Sequence, residues 1–427
     1  MSEKKKVLIP GGRLSDWALI NAAHKPGLYV ISSGYRPDDP AHHFADKYIQ
    51  ADYADKEEML RIAKEEKIDY MVANSNDFGL LSTVYVCEQL GLPGHDSYET
   101  TLKLHTKDNF KKVARELGLH SPVSEIFDNR EAAIAYVRSK DEKLIIKPAD
   151  NVGSNGVSVP ENDEDIERCI DFAFEKSKSK KIVIEPFIEG FFVPATSFII
   201  NKKVVCFFTL GSYVYPQGGK VLPNAFPISD HCTGSSIPAM YADDFVPDIV
   251  EDFNKIAEYY DLVDGKLHCE LLVTPDHKAY IFDIHRRMSG FFNPWSDWDI
   301  TGEILWEEWI VKAECGMDLS DFPVGIKQNK FLHFRNIYAP KNGIIKRMVF
   351  DEYLSSRIFP KNNIKELVFN NMYVFDHEHY PLIDVSPSTG RPLLMFEFET
   401  KEELERMSDP NSDEFYSHIR FEYSDTY

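Results

Sequence analysis

Residues 268–290, HCELLVTPDHKAYIFDIHRRMSG, read as two strands around a tight turn. The run 267–274 is largely apolar and is interrupted by Glu270, and Pro275-Asp276-His277-Lys278 is turn chemistry. In the second run, 279–285, Asp283 and His285 are two residues apart and point to one face of the strand. Glu270 lies thirteen residues before Asp283, a spacing that a hairpin closes to bring the two carboxylates together. Two carboxylates and a third polar ligand on adjacent strands make a hard, oxygen-rich site that suits Mg²⁺ carrying a nucleoside triphosphate. Arg287, two positions further on the same face, is placed to meet a phosphoryl group. An ordinary hairpin with solvated charges would use the same residue types. Glu270 argues against that reading, because an unpaired carboxylate inside an apolar run is costly.

The rest of the composition narrows the class. A chain of 427 residues is too long for one core and implies several domains or subdomains. Apolar residues make up 43% and charged residues 27%, a globular balance. The formal charge of -21, from 48 basic and 69 acidic side chains, disfavours nucleic acid or an anionic membrane as the main partner. An anionic ligand therefore needs a local basic pocket. Cysteines at 87, 169, 206, 232, 269 and 315 are scattered with no CxxC pair, which fits a reduced cytoplasmic setting better than disulfides or zinc. Val7-Leu8-Ile9, following Lys4-Lys5-Lys6, is too short for a signal peptide. No apolar run reaches the roughly 18 residues a membrane-spanning helix needs.

Taken in order, the chain alternates strands and helices over its first 96 residues: strands at 7–9, 28–32 and 69–73, helices at 15–24, 57–66 and 78–90, the last ending at Gly91. That alternation predicts a wound parallel sheet. Pro10-Gly11-Gly12-Arg13 lacks the third glycine of a dinucleotide fingerprint and reads as a tight turn. Residues 100–119 are helix-rich; strands follow at 123–127 and 143–147, with a helix at 131–139 between them. The loop 148–157, PADNVGSNGV, can present backbone N–H groups to phosphates, and Lys147 ends the strand just before it. A helix is expected at 161–175, a strand at 180–187, a hairpin at 198–210, a Gly/Pro-rich irregular segment at 211–238 and helices at 244–260 and 301–313. From residue 331 the chain reads as β-rich with one short helix at 400–407.

Lys107, Lys147, GSNGV at 153–157, EPFIEG at 185–190, Glu270 and DIHRRMSG at 283–290 follow one another in an order that resembles the ATP-grasp superfamily, in particular its carboxylate–amine ligases. The resemblance covers nearly the whole chain. It implies an α/β ATP-grasp architecture: a wound pre-grasp domain at 1–96, a lid subdomain with linker helices at 97–190, a large subdomain with the metal site at 191–328 and a small β-rich C-terminal domain at 329–427. It also implies that Lys107 and Lys147 contact the nucleotide phosphates, and that Gly153, Ser154, Asn155, Gly156 and Val157 close over them. By the same resemblance Glu185, Pro186, Phe187 and Ile188 would form the adenine hinge, with the Pro186 carbonyl accepting from the amino group and the Ile188 N–H donating to the ring. Glu270, Asp283 and His285 are the implied metal ligands, for Mg²⁺ or alternatively Mn²⁺, and Arg287 stabilises the phosphoryl group in transfer.

The chain departs from the family pattern at four positions. Asp283 stands where the family usually has Glu, His285 where it has Asn, Arg286 where a proline is common and Phe192 where an acidic residue often holds ribose. The reaction implied is ligation of a small carboxylate to an amine through an acyl phosphate, releasing ADP and phosphate. A phosphotransferase acting on a small metabolite and a non-catalytic nucleotide binder are the alternatives. The expected partners are small molecules, with no nucleic acid and no membrane, and a homodimer is the assembly considered. Specificity is expected from 211–238 and from Phe291, Phe292, Trp295 and Trp298, with Lys220, His231 and Arg286 as candidate substrate contacts.

Overall fold

The computed structural model describes residues 4–150, 155–213, 234–287, 306–323, 330–337, 343–359, 365–374, 393–409 and 412–423. The chain forms two compact units, one comprising Met1–Glu189, Ala195–Phe207 and Asp243–Lys327, the other Gly190–Pro194, Phe208–Ala242 and Gln328–Tyr427.

The first unit opens with β1 (Lys6–Pro10), α1 (Trp17–His24), β2 (Tyr29–Gly34), β3 (Lys47–Gln50), α2 (Lys56–Glu66), β4 (Tyr70–Met71) and α3 (Asp77–Leu90). The strands pair in parallel in the order β3-β2-β1-β4, the wound sheet that the alternation predicts. Val7, Leu8 and Ile9 are fully buried, as a strand covered by helices on both faces requires. Met59, Leu60, Ile62 and Ala63 of α2 and Val86 and Cys87 of α3 pack over Leu8 and Ile31. The side chain of Asn76 caps α3 by accepting from the N–H groups of Phe78 and Gly79, and Gly91 at φ 65° ends it. This fixes Asp77 at the first turn of α3.

The strand expected at 69–73 shortens to two residues because Ala73 bonds elsewhere. Its N–H donates to Glu314 Oε2 at 2.6 Å and its carbonyl accepts from Lys266 Nζ at 3.2 Å. The helix-rich stretch 100–119 splits into α4 (Tyr98–His105) and α5 (Lys107–Leu117). Thr106 between them is extended at φ -89°, ψ 125°, and its hydroxyl accepts from Asn109 Nδ2 at 2.6 Å. The break lets His105 and Lys107 serve one region although each belongs to a different helix.

Next come β5 (Glu125–Phe127), α6 (Arg130–Arg138), β6 (Leu144–Pro148), α7 (Asp165–Lys176) and β7 (Ile182–Pro186), with antiparallel order β5-β7-β6. Leu144, Ile146, Ile182 and Ile184 face the core under α6 and α7. Period-two alternation therefore turns Lys147 and Glu185 to the opposite face. α7 starts later than expected because Asn162 Oδ1 takes the N–H groups of Glu164 and Asp165 at 3.0 and 3.1 Å, a turn that competes with the helix.

β8 (Phe191–Ile200) begins seven residues before the expected position and leads into β9 (Lys203–Thr209), which pairs with it. The ends of the segment read as irregular are strands, β10 (Gly211–Tyr213) and β11 (Gly234–Ile237), antiparallel to each other; residues 214–233 lie outside the described residues. α8 (Ala242–Tyr259) precedes the hairpin of β12 (Gly265–Val273) and β13 (Ala279–His285), and α9 (Trp306–Glu314) follows.

In the second unit, β10 and β11 continue through β14 (Phe331–Asn336) to β18 (Leu393–Phe398) and β16 (Ile358–Phe359), all antiparallel. A second sheet joins β15 (Gly343–Phe350) to β17 (Glu366–Val374) and β19 (Ile419–Tyr423). Short helices α10 (Glu352–Ser355), α11 (Lys401–Ser408) and α12 (Glu414–Ser417) close a core of Met348, Leu354, Phe396, Leu404, Met407 and Phe415. This is the β-rich region expected after residue 331. No helix among the described residues is long and apolar enough to cross a membrane.

Candidate active site

The hairpin sets Glu270 directly opposite Asp283 and His268 directly opposite His285. A register irregularity between Glu270 and Leu271 lets the ladder absorb one extra residue on β13 beyond that point. The carboxylates thus meet as the spacing predicts. Lys107 Nζ lies 3.2 Å from Asp283 Oδ2. Burial would raise the Asp283 carboxyl, but Lys107 and His285 hold it well below the usual range. Burial, with Asp283 as a like charge opposite, pushes Glu270 up. The two carboxylates carry one negative charge more than Lys107 compensates, which fits a divalent cation held by oxygen ligands.

A second charged group stands on the sheet β5-β7-β6. Glu185 is 1% exposed. Its Oε2 lies 3.0 Å from Lys111 Nζ and accepts from Ser124 Oγ at 2.9 Å, while Lys147 Nζ donates to Oε1. Burial opposes the charge, yet the two ammonium groups hold the Glu185 carboxyl down at about 2. Lys111 is pushed down despite Glu185, because burial and the neighbouring Lys147 outweigh one shared carboxylate. Two cations around one anion leave a surplus positive charge, which is what a phosphate needs from a protein of net charge -21. The motifs in the sequence do not single out Lys111; its one signal is the four-residue step from Lys107, which puts both on one face of α5.

The expected adenine hinge is the end of β7 and the residues after it. The Glu185 carboxylate is committed to the lysines, so only its backbone can serve a base. The Phe187 N–H donates to Lys143 O at 2.8 Å, and Lys143 Nζ sits 4.5 Å from the Phe187 ring centre. Asn155, Gly156 and Val157 are the described part of the expected phosphate loop. Gly156 has φ +94°, and a Cβ there would come within 2.6 Å of Pro148 Cγ and 2.7 Å of Lys176 Cβ. Gly153 and Ser154 lie outside the described residues, as do Lys220, His231, Phe291, Phe292, Trp295 and Trp298. Phe192, where an acidic residue often stands in the family, is 9% exposed.

The two arginines diverge. Arg287 Nε donates to Asp77 Oδ1, and its Nη2 lies 3.4 Å from Asp77 Oδ2. Arg286, considered above as a substrate contact, is instead spent on structure. Its Nε donates to Asp96 Oδ2 at 2.7 Å, Nη2 to Val263 O at 2.8 Å and Nη1 to Lys266 O. Beside Arg287, the buried His285 places Nδ1 3.6 Å from Asp77 Oδ1 and Nε2 3.6 Å from Asp283 Oδ1. Burial, against the pull of Asp283, lowers the His285 imidazole to about 4 and also lowers His105 and His268. Asp77, His105 and His268 escape a reading of the sequence, in which Asp77 is an ordinary helix-start acid.

A wound N-terminal sheet, an antiparallel sheet whose Glu185 meets Lys147 of the same sheet and Lys111 of α5, and a hairpin bearing paired carboxylates define the class: this is the ATP-grasp fold. The model for the phosphoribosylglycinamide synthetase ATP-grasp (A) domain matches residues 105–221. The formate-dependent phosphoribosylglycinamide formyltransferase of a Nitratiruptor species is 26% identical over 187 residues, 43% of this chain and 48% of the relative. The chain thus spans about half the length of that relative. The L-amino acid ligase of Bacillus licheniformis superposes with a TM-score of 0.69 at 17% identity, covering 100% of both chains. The biotin carboxylase domain of the Hydrogenobacter thermophilus 2-oxoglutarate carboxylase, a structure in complex with MgADP, superposes with a TM-score of 0.67 at 14% identity, covering 99% of this chain and 91% of that one. The chain has the ATP-grasp fold, and its residues 105–221 are similar to an ATP-grasp domain of carbon–nitrogen ligases.

Proposed function

We propose that the protein is an ATP-dependent carboxylate–amine ligase. A carboxylate oxygen of the first substrate attacks the γ-phosphorus of ATP and ADP leaves. The amine nitrogen then attacks the acyl carbon, loses a proton, and phosphate leaves to give the amide. The observation that carries this reading is the convergence of Glu270, Asp283 and Lys107, with Lys107 Nζ 3.2 Å from Asp283, in a fold that also brings two lysines to one buried glutamate. Phosphoryl transfer asks the protein mainly for position and positive field, and no nucleophilic side chain is required.

Glu270 and Asp283 would hold Mg²⁺ or Mn²⁺, which supplies charge neutralisation for the phosphates when bound. Lys107, Lys111 and Lys147 supply the fixed positive field on the nucleotide side. Asn155 to Val157 belong to the loop that covers the phosphates, and the backbone of 185–188 meets the adenine. Arg287 offers a planar, permanently charged group to the phosphoryl being transferred, a contact worth most where charge develops. The boundaries 1–96, 97–190, 191–328 and 329–427 remain our division of labour among these parts.

The experiment is a screen of carboxylate and amine pairs for ADP release. ADP and phosphate that appear only when both substrates are present support a ligase. A stable phosphorylated product from a single acceptor makes the protein a phosphotransferase and overturns the reading.

A further inference from the structure

Asp77 is the first residue of α3, His105 the last of α4 and His285 the last of β13. These three element ends meet. Asp77 Oδ1 lies 3.8 Å from His105 Nδ1 and 3.6 Å from His285 Nδ1, and the ligand atoms of the three residues all fall within 4.8 Å of one another. Both Nδ1 atoms are buried and have no hydrogen-bond partner among the described residues. The His285 side chain is 3% exposed. A buried polar atom without a partner costs on the order of 1–3 kcal/mol, and two of them aimed at one carboxylate oxygen call for an explanation.

We propose that Asp77, His105 and His285 form a binding site for a divalent transition-metal ion such as Zn²⁺, separate from the Glu270–Asp283 pair. The donor set is two imidazoles and one carboxylate, which suits nitrogen-preferring first-row ions over Mg²⁺. Ligand atoms sharing a tetrahedral ion at ordinary zinc bond lengths stand roughly 3.4 Å apart, so a slight contraction of the present spacing completes the site. The outer contacts also fit. His285 turns its other ring nitrogen toward Asp283 Oδ1, 3.6 Å away, and a small contraction would give the carboxylate–histidine–metal arrangement that fixes a ligand's tautomer. Arg287 Nε donates to Asp77 Oδ1, the oxygen the ion would take, which would leave Arg287 its Nη2 contact with Oδ2 at 3.4 Å. The ion would pin the two helix ends to the end of the hairpin strand that carries Asp283.

The test uses the full chain, stripped with a chelator and titrated with Co²⁺ in the absence of nucleotide. One equivalent is expected, with the visible bands of a nitrogen-bound, low-coordinate Co²⁺. Asp77→Asn and His105→Gln should each weaken binding by about tenfold or more, whereas Glu270→Gln should bind as the wild type does. Loss of Co²⁺ in Glu270→Gln with retention in His105→Gln places the ion on the carboxylate pair and overturns the proposal, as does the absence of stoichiometric binding. X-ray absorption of the Zn²⁺-loaded wild type needs no variant: two imidazole nitrogens are expected in the coordination shell, and an oxygen-only shell refutes the site.

Discussion

Glu185→Gln removes the one anion between two buried cations. Glu185 is 1% exposed, with Lys111 Nζ 3.0 Å away and Lys147 bonded to its other oxygen. The fall of its carboxyl from the ordinary 4.5 to about 2 corresponds to about 3 kcal/mol of preference for the charged form. Breaking one side of a buried pair costs a similar amount, about 3–5 kcal/mol. We expect Glu185→Gln to lose about 3 kcal/mol in urea unfolding at pH 7, followed through the transition of the unit that contains the sheet β5-β7-β6. Lys147→Met should lose less, because Glu185 keeps Lys111. The pH dependence gives a second check. A depressed carboxyl contributes stability that is fully present above pH 4.5 and is lost as pH falls through about 2, so wild type and variant should converge over that window. Nucleotide adds a third: an anion that meets the uncompensated lysines should stabilise the variant more than the wild type. A loss under about 0.5 kcal/mol at pH 7, with parallel acid profiles, would refute the charge-balance reasoning.

Other outcomes follow from the same geometry. Glu270→Gln should abolish ATP turnover and the Mg²⁺ dependence of nucleotide binding while circular dichroism stays native; wild-type turnover sinks the assignment of the carboxylate pair. Arg286→Lys cannot reproduce the contacts to Asp96, Val263 and Lys266, so it should cost about 2–4 kcal/mol of stability with kcat per folded molecule retained. Arg287→Lys should lower kcat more than nucleotide affinity, and the reverse pattern between the two arginines would contradict their placement. Gly156→Ala sets a side chain in a left-handed conformation within 2.6 Å of Pro148 Cγ, so a cost of about 1–3 kcal/mol is expected, with a raised KM for ATP in steady-state assays.

The hairpin is legible in the sequence because its signals are local. Alternation fixes which face Asp283 and His285 share, the turn residues fix the fold-back, and together they give the Glu270–Asp283 register. The wound sheet is legible for the same reason, since buried runs and helix caps repeat along the chain. What escapes a sequence reading depends on distant partners. Asp77 reads as a helix-start acid until Arg287 and the two histidines arrive from residues far along the chain. Arg286 reads as a candidate substrate contact until Asp96, 190 positions away, takes its guanidinium. The strand at 69–73 reads too long because side chains from Lys266 and Glu314 take the backbone groups of Ala73. The lysines around Glu185 are half-legible: Lys147 stands out beside its loop, while Lys111 needs the folded sheet to show its glutamate.

The bond between Ala73 and Glu314 spans 241 positions, and that between Ala73 and Lys266 spans 193. These links bear on how the protein is made. At about 5–20 residues per second, the ribosome delivers Glu314 roughly 10–50 s after Ala73. During that interval Ala73, two residues past β4, carries an N–H and a carbonyl that only later segments satisfy, and Asp96 awaits Arg286. The N-terminal sheet therefore emerges early but completes late. Nascent chains stalled between residues 96 and 286 are the form in which this edge is most open to chaperones, to proteases and to the wrong strand.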